Sequence, residues 1–303
     1  MQTLKDLSEN EVKHRLQTSG IALNIGPFNI SFTSDYLPLT KPVRNLYANY
    51  PLLNDVDFVD FNIRLLRSKG IRRYIKPQIN FYFDDNCPFK PLPLNEAFAL
   101  LEWGMNWCIG AHAHQFLIIH SAVLAKNSKV LILPGDPGSG KSTLCAALCG
   151  EGWKLLSDEL ALVDKASGLI YPVGRPISLK NKSIDIIKNK YQHLQPGSIV
   201  STLTKGDVAH ISLPEYCIDS MNTPLPAAFI IFPKYNSNAT FSFEALTKPA
   251  AFLKTIENSF NYSQLGQEGF DVMGTLIDSV QSYNIFYSNL DSAIEFINQQ
   301  MEL

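Results

Sequence analysis

One short stretch constrains this chain more than any other: Gly135-Asp136-Pro137-Gly138-Ser139-Gly140-Lys141-Ser142-Thr143. It spells G-x-x-x-x-G-K-[ST], a motif that carries meaning only between a strand and a helix. Both are predicted. Val130-Leu131-Ile132-Leu133 reads as a buried strand, and the run from Ser142 to Cys149 is helix-forming and closed by Gly150. Glycines at these spacings let successive backbone N–H groups face one anion, and the helix N-terminus adds partial positive charge. Lys141 offers a mobile point charge for the outer phosphates, and the Ser142 hydroxyl is a candidate Mg²⁺ ligand. Residues 135–143 are therefore expected to bind a nucleotide phosphate.

A second feature stands 17 positions past Lys141. Trp153 to Ser157 predicts a short strand that ends in Asp158 and Glu159. Were that strand beside the phosphate-loop strand, both carboxylates would reach the crevice at the C-terminal ends of the strands, where open sheets bind ligands. One carboxylate could then hold Mg²⁺ while the other takes a proton from an attacking hydroxyl. The plain alternative is a polar loop after a strand. Upstream, Phe116 to Leu124 is an apolar strand with one histidine, His120, 15 positions before Gly135. Such a residue packs in a core as readily as it catalyses. Arg175, Lys180 and Lys182, and later Lys205 and His210, are cations that a phosphoryl-transfer site could use, or ordinary surface charge.

The order of histidine, phosphate loop and acidic pair resembles the catalytic domain of HPr kinase/phosphorylase, through HSAVLAKNSKVLILPGDPGSGKSTLCAALCGEGWKLLSDELALVD. The segments LLEWGMNWCIGAHAH, RPISLKN, TKGDVAHI and FNYSQLG extend the resemblance over nearly the whole chain, to the HPr-kinase-related kinase A family. The resemblance implies an α/β fold, α+β overall, with a P-loop kinase core and a mixed sheet like those of HPr kinase and phosphoenolpyruvate carboxykinase. It implies ATP and Mg²⁺, and a hydroxyl acceptor, first of all a serine of a peptide or protein. A small-molecule acceptor stays open through the carboxykinase. By the same resemblance Asp158 is the general base, and Ser142 with Glu159 or Asp158 holds the metal. Lys141 grips phosphate, and His120 sits near the transferring group or orients Asp158. Arg175, Lys180 and Lys205 surround the substrate. The relatives carry two aspartates at the acidic pair, so Glu159 is a departure, longer by one methylene. A peptide-modification pathway and a homo-oligomer follow from kinship alone. Two rival readings are a nucleotide-controlled binding switch without an acceptor and a phosphorylase running in reverse.

Composition narrows the partners. A net charge of −2 and a pI near 6.3 argue against nucleic acid, which calls for a basic surplus. No apolar run reaches the roughly 18 to 20 residues that cross a bilayer. The N-terminus has no secretory apolar region. The five cysteines are scattered without a C-x-x-C pair, which suits small buried residues in a reducing compartment. The expectation is a cytoplasmic protein.

The rest of the chain divides into two expected units, a small β-rich domain over 1–94 and the P-loop domain over 95–303. In the first, Ser8 caps a helix that stops at Gly20, and period-two patterns predict strands on either side of Gly26-Pro27. A helix ended by Pro51 follows, then strands in VDFNIRLLRS and QINFYFD. Arg64, Arg67, Lys69, Arg72, Arg73 and Lys76 form a basic run that is either a solvated face or a docking surface for an acidic partner. Asn95 is expected to cap a packing helix that joins the two units. Downstream, strands and helices alternate without an internal repeat.

Overall fold

Alternating apolar residues build a five-stranded sheet first. The computed structural model describes residues 2–54, 58–202 and 205–302. Helix α1 (Glu9–Gln17) starts as expected at Ser8, whose N–H donates to Glu11 at 2.7 Å while its hydroxyl accepts from the Glu11 N–H at 3.3 Å. Strands β1 (Ile21–Ile25) and β2 (Phe28–Ser34) form an antiparallel hairpin, buried at every other residue. Strand β3 (Phe61–Arg67) runs parallel to β2, and β4 (Gln78–Phe83) and β5 (Leu92–Pro93) complete the order β1-β2-β3-β4-β5. Helix α2 (Thr40–Leu46) ends well before Pro51, and Tyr47 and Tyr50 turn inward to full burial. In the basic run, Arg64 pairs with Asp85 and Arg67 with Asp35, while Lys69, Arg72, Arg73 and Lys76 are exposed on the β3–β4 connection.

Helix α3 (Ala97–His112) carries Phe98, Leu101, Met105, Cys108 and Ile109 into the core as their spacing predicts. Asn95 does not cap it. A 3₁₀ turn, Leu94–Glu96, leads into the helix, and the Asn95 amide instead donates to the Ser201 carbonyl at 3.4 Å.

The second sheet follows from β6 (Phe116–Lys126), β7 (Lys129–Pro134), β8 (Lys154–Ser157), β9 (Leu160–Asp164) and β10 (Ile170–Tyr171). Strands β11 (Ile177–Lys180), β12 (Val200–Thr202) and β13 (Gly206–Ile211) form a separate three-stranded sheet in the order β11-β13-β12. Strands β14 (Ala227–Tyr235), β15 (Ser242–Ala245) and β16 (Gln281–Tyr287) return to the main sheet, which reads β10-β9-β6-β7-β14-β16-β15, with β8 also on β6. The helices are α4 (Lys141–Gly150), α5 (Lys182–Lys190), α6 (Glu215–Ile218), α7 (Lys248–Ile256), α8 (Tyr262–Leu265), α9 (Gln267–Ser279) and α10 (Leu290–Glu302). The fold is mixed α/β with several sheets. Among the described residues no helix is long and apolar enough to cross a membrane.

Successive side chains of a strand point to opposite faces, and β6 is buried on both. Phe116, Ile118, Ala122 and Leu124 join a core that also holds α4, α10 and the N-terminal sheet. Leu117, Ile119, Val123 and Ala125 join the other, beneath α7 and α9. His120 has the parity of the first set and so lies on the α4 face. The first core is continuous from Leu4 to Met301, so the N-terminal sheet is packed onto the rest of the chain.

A buried network ties these parts together. The Tyr47 hydroxyl donates to Glu102 Oε1 at 2.5 Å, and Arg175 Nη1 donates to Glu102 Oε2 at 3.2 Å and to its carbonyl at 3.0 Å. Burial pushes the Glu102 carboxyl up to about 7, against the pull of Arg175 and Tyr47. Removing one partner of a buried ion pair leaves an uncompensated charge, which typically costs ~3–5 kcal/mol. Glu102→Ala should therefore lower stability by about that much in urea denaturation. Adding Arg175→Met should recover part of the loss, because the stranded guanidinium is then gone.

Candidate phosphate and carboxylate site

The turn between β7 and α4 is built on two tyrosines. Tyr235 and Tyr287 end β14 and β16 with ring centroids 5.8 Å apart, and the Tyr235 N–H donates to the Ser139 carbonyl at 3.0 Å. Gly140 stands above them at φ 95°, in the left-handed region, and a Cβ there would lie 2.4 Å from the Tyr287 hydroxyl oxygen. Glycine is required at this position on both counts. Lys141 is buried and folds back, donating to the Gly135 carbonyl and, at 3.3 Å, to that of Asp136. Burial lowers its pKa, while Glu159 and Asp158 raise it. The lysine therefore stands within the field of both carboxylates.

The acidic strand is not beside β7. Strand β6 lies between them: Ser121 faces Pro134 of β7, and Val123 faces Ser157 of β8. Both pairings are antiparallel, so β7 and β8 run the same way and end at the same edge of the sheet. At a strand spacing of 4.7–4.9 Å, the two ends are roughly 10 Å apart. The expected crevice thus forms across one intervening strand. Strands β8 and β9 both pair with β6, and Asp158 and Glu159 occupy the break between them. The break releases Asp158 from the ladder, while the Glu159 carbonyl still accepts the Ser121 N–H of β6 at 3.1 Å.

Asp158 turns inward. Its Oδ2 accepts the Ser178 N–H at 3.0 Å, while Oδ1 is buried with no hydrogen bond of good geometry among the described residues, although the Ser142 hydroxyl and the Cys145 thiol lie against the carboxylate. Burial, and then the charge of Glu159, push its pKa up to about 7. Ser178, Lys180 and the Ser142 hydroxyl pull the other way, so the loop's candidate metal ligand lies near this carboxylate. Glu159 is half-buried and faces His120, with Oε2 3.5 Å from Nδ1 and its carbonyl 3.2 Å from the same nitrogen. Burial lowers the His120 pKa, so the contact is chiefly a hydrogen bond of a neutral ring. His120 is thus placed on Glu159, and among the described residues it makes no hydrogen bond to Asp158.

The expected substrate cations separate. Arg175 is committed to Glu102 and Asn106, although its Nε has no partner among the described residues. Lys180 ends β11, and its charge acts on Asp158, His120, Lys141 and Lys205. Lys205 Nζ sits 3.9 Å above the Trp103 ring, a cation–π contact. Thr204, which opens the TKGDVAHI segment, lies outside the described residues. His210 is not a cation here: burial first, then the charges of Arg175, Lys180 and Lys205, push its pKa down to about 3. A small cleft lined by Trp103, Asn106, Asp158, Glu159, Ser178 and His210 adjoins the acidic pair.

Trp103, Ser178, Tyr235 and Tyr287 are not among the site residues expected from the sequence, and the two tyrosines carry no motif. For Ser178 and Trp103 the only signal is their place inside RPISLKN and LLEWGMNWCIGAHAH. No protein-family model matches the chain, and no curated protein matches it.

Two outcomes test this geometry. Gly140→Ala forces φ out of the left-handed region or into the Tyr287 hydroxyl. Stability should fall by roughly 1–2 kcal/mol or more in urea denaturation, from the left-handed penalty and the added clash. Tyr287→Phe in the same variant should relieve only the clash. Asp158 gives a pH signature. Its pKa is raised from 3.8 to about 7, so the folded state holds the proton more tightly than the unfolded chain. That stabilisation is complete below about 4 and is lost as pH rises through about 7. Asp158→Asn should be relatively more heat-stable than the parent at pH 8, with the advantage shrinking towards pH 5.

Proposed function

We propose that the chain is an ATP- and Mg²⁺-dependent phosphotransferase of the HPr kinase type, acting on a hydroxyl, first of all a serine of a peptide or protein. One observation carries the reading. A buried carboxylate with its pKa lifted to about 7 and one oxygen without a hydrogen bond of good geometry among the described residues stands at the same sheet edge as the phosphate loop. A general base works best with a pKa near the operating pH.

In this reading the nucleotide phosphates occupy residues 135–143, and Lys141 exchanges the Gly135 and Asp136 carbonyls for phosphate oxygens. Among the described residues there is no cluster of three or more His, Cys, Asp or Glu for a metal ion. Mg²⁺ is commonly held by one or two protein groups together with phosphate oxygens and water, and Ser142 with Glu159 and Asp158 fits that donor set. When bound, the ion neutralises charge on the outer phosphates. Asp158 accepts the proton of the acceptor hydroxyl. The acceptor oxygen bonds to the γ-phosphorus as the bond from that phosphorus to the β,γ-bridging oxygen breaks, and ADP leaves with the electron pair. His120 holds Glu159 in place, while Lys180 and Lys205 offset charge on the transferring group. A P-loop kinase core and the family resemblance belong to the same proposal.

The test uses γ-labelled ATP, Mg²⁺ and a cell lysate of the source as acceptor pool. Label should reach an acceptor with the parent and not with Lys141→Ala or Asp158→Asn. Parent activity should rise with pH through about 7, as Asp158 loses its proton. Release of free phosphate alone, without a labelled acceptor, would overturn the transferase in favour of a nucleotide-controlled switch.

A further inference from the structure

We propose that the acceptor carries an uncharged apolar group beside its reacting hydroxyl, and that this group is seated in a second cavity that meets the carboxylate cleft at His210. The proposal rests on the phosphotransferase reading and names the acceptor's chemistry.

The second cavity has a volume of about 300 Å³ and lies between α2, the start of α3 and the β12–β13 pair. That is the lower end of the range for small-molecule pockets. Its walls are mostly apolar, with Pro38, Leu39, Leu46, Phe98 and Val208 among them. His210 lines both this cavity and the cleft that holds Asp158 and Glu159. Its ring packs edge-on against Phe98 at 5.0 Å, it is only 6% exposed, and its Nε2 has no hydrogen-bond partner among the described residues. An unpaired buried polar atom is costly, and an acceptor lying across the junction would supply the missing partner.

Charge divides the two spaces. The cleft side has Glu102, Asp158, Glu159 and Arg175, whereas among the described residues Lys41 is the only charged one lining the larger cavity, and it is exposed. The imidazole at the junction is neutral. A charged group moved into the larger cavity would lose its water without gaining an opposite charge, whereas an aliphatic or aromatic group would gain by burial. Asn45, Asn95 and Ser198 are exposed at the rim, so the cavity opens to solvent.

The test is binding, measured by calorimetry on the full chain with two probe sets. One is the n-alkanols from butanol to octanol. The other is serine dipeptides with leucine, phenylalanine or glycine beside the serine. Alkanol affinity should rise by about fourfold per methylene until the cavity is full. The leucine and phenylalanine dipeptides should bind more tightly than the glycine one if a peptide bears the group, whereas binding confined to the alkanols assigns it to a small alcohol. Ser198→Trp and Asn45→Trp, both at exposed rim positions, should abolish the dependence on apolar size while leaving ATP affinity and melting temperature unchanged. Lys141→Ala should remove ATP binding and leave the alkanol series intact, so a failed transferase reading is distinguishable from a failed cavity. Affinity independent of apolar size in both sets, or a dependence that survives both tryptophan variants, would overturn the proposal.

Discussion

Strand β6 holds the site together because both of its edges are paired. On one edge it carries β7, which feeds the phosphate loop, and on the other it carries β8 and β9 in succession. A ladder of backbone hydrogen bonds sets the register of each neighbour, and a slip of one residue would send every side chain to the opposite face. With both faces of β6 buried, such a slip would move two cores at once. The loop and the acidic pair are therefore locked to the same end of the sheet by apolar packing that neither contributes. Where the second edge breaks, between Ser157 and Leu160, Asp158 leaves the ladder while Glu159 keeps one backbone bond to Ser121, and both line the cleft.

Two buried carboxylates show how environment separates a structural role from a chemical one. Desolvation lifts Glu102 and Asp158 alike to about 7. Glu102, however, has Tyr47 on one oxygen and Arg175 on the other, so its hydrogen-bonding capacity is spent on joining the N-terminal sheet to the rest. Asp158 has the Ser178 amide on one oxygen and no hydrogen bond of good geometry on the other among the described residues. The unsatisfied oxygen makes it the candidate base. Lys141 is likewise set by its surroundings, resting on two carbonyls of its own loop.

Much of this was legible in the sequence where a pattern repeats or a residue type is demanded locally. The hairpin of β1 and β2, the capping of α1 by Ser8 and the strand–turn–helix at the phosphate loop all follow from short-range rules. Helix α10 opens by the same kind of local rule, with the Asn289 side chain accepting the Asp291 N–H at 2.7 Å. Asn95 misled because a capping residue and a residue bonded to a distant carbonyl look the same in one dimension. The partner of Asn95 is Ser201, over a hundred positions away. His210 misled for a related reason: beside Lys205 it reads as positive charge, and only burial among other cations makes it neutral.

The chain by itself determined the turn on which the proposed phosphate site rests, because Gly140, Lys141 and Ser142 act through local backbone geometry and their own functional groups. It also determined that two acids follow on the next strand. Tertiary structure decided which acid is buried and which meets His120, since desolvation and pairing depend on neighbours brought in from β6, β11 and α4. It also decided that Arg175 braces the fold instead of standing free, because a guanidinium's role is set by whichever carboxylate shares its low-dielectric surroundings.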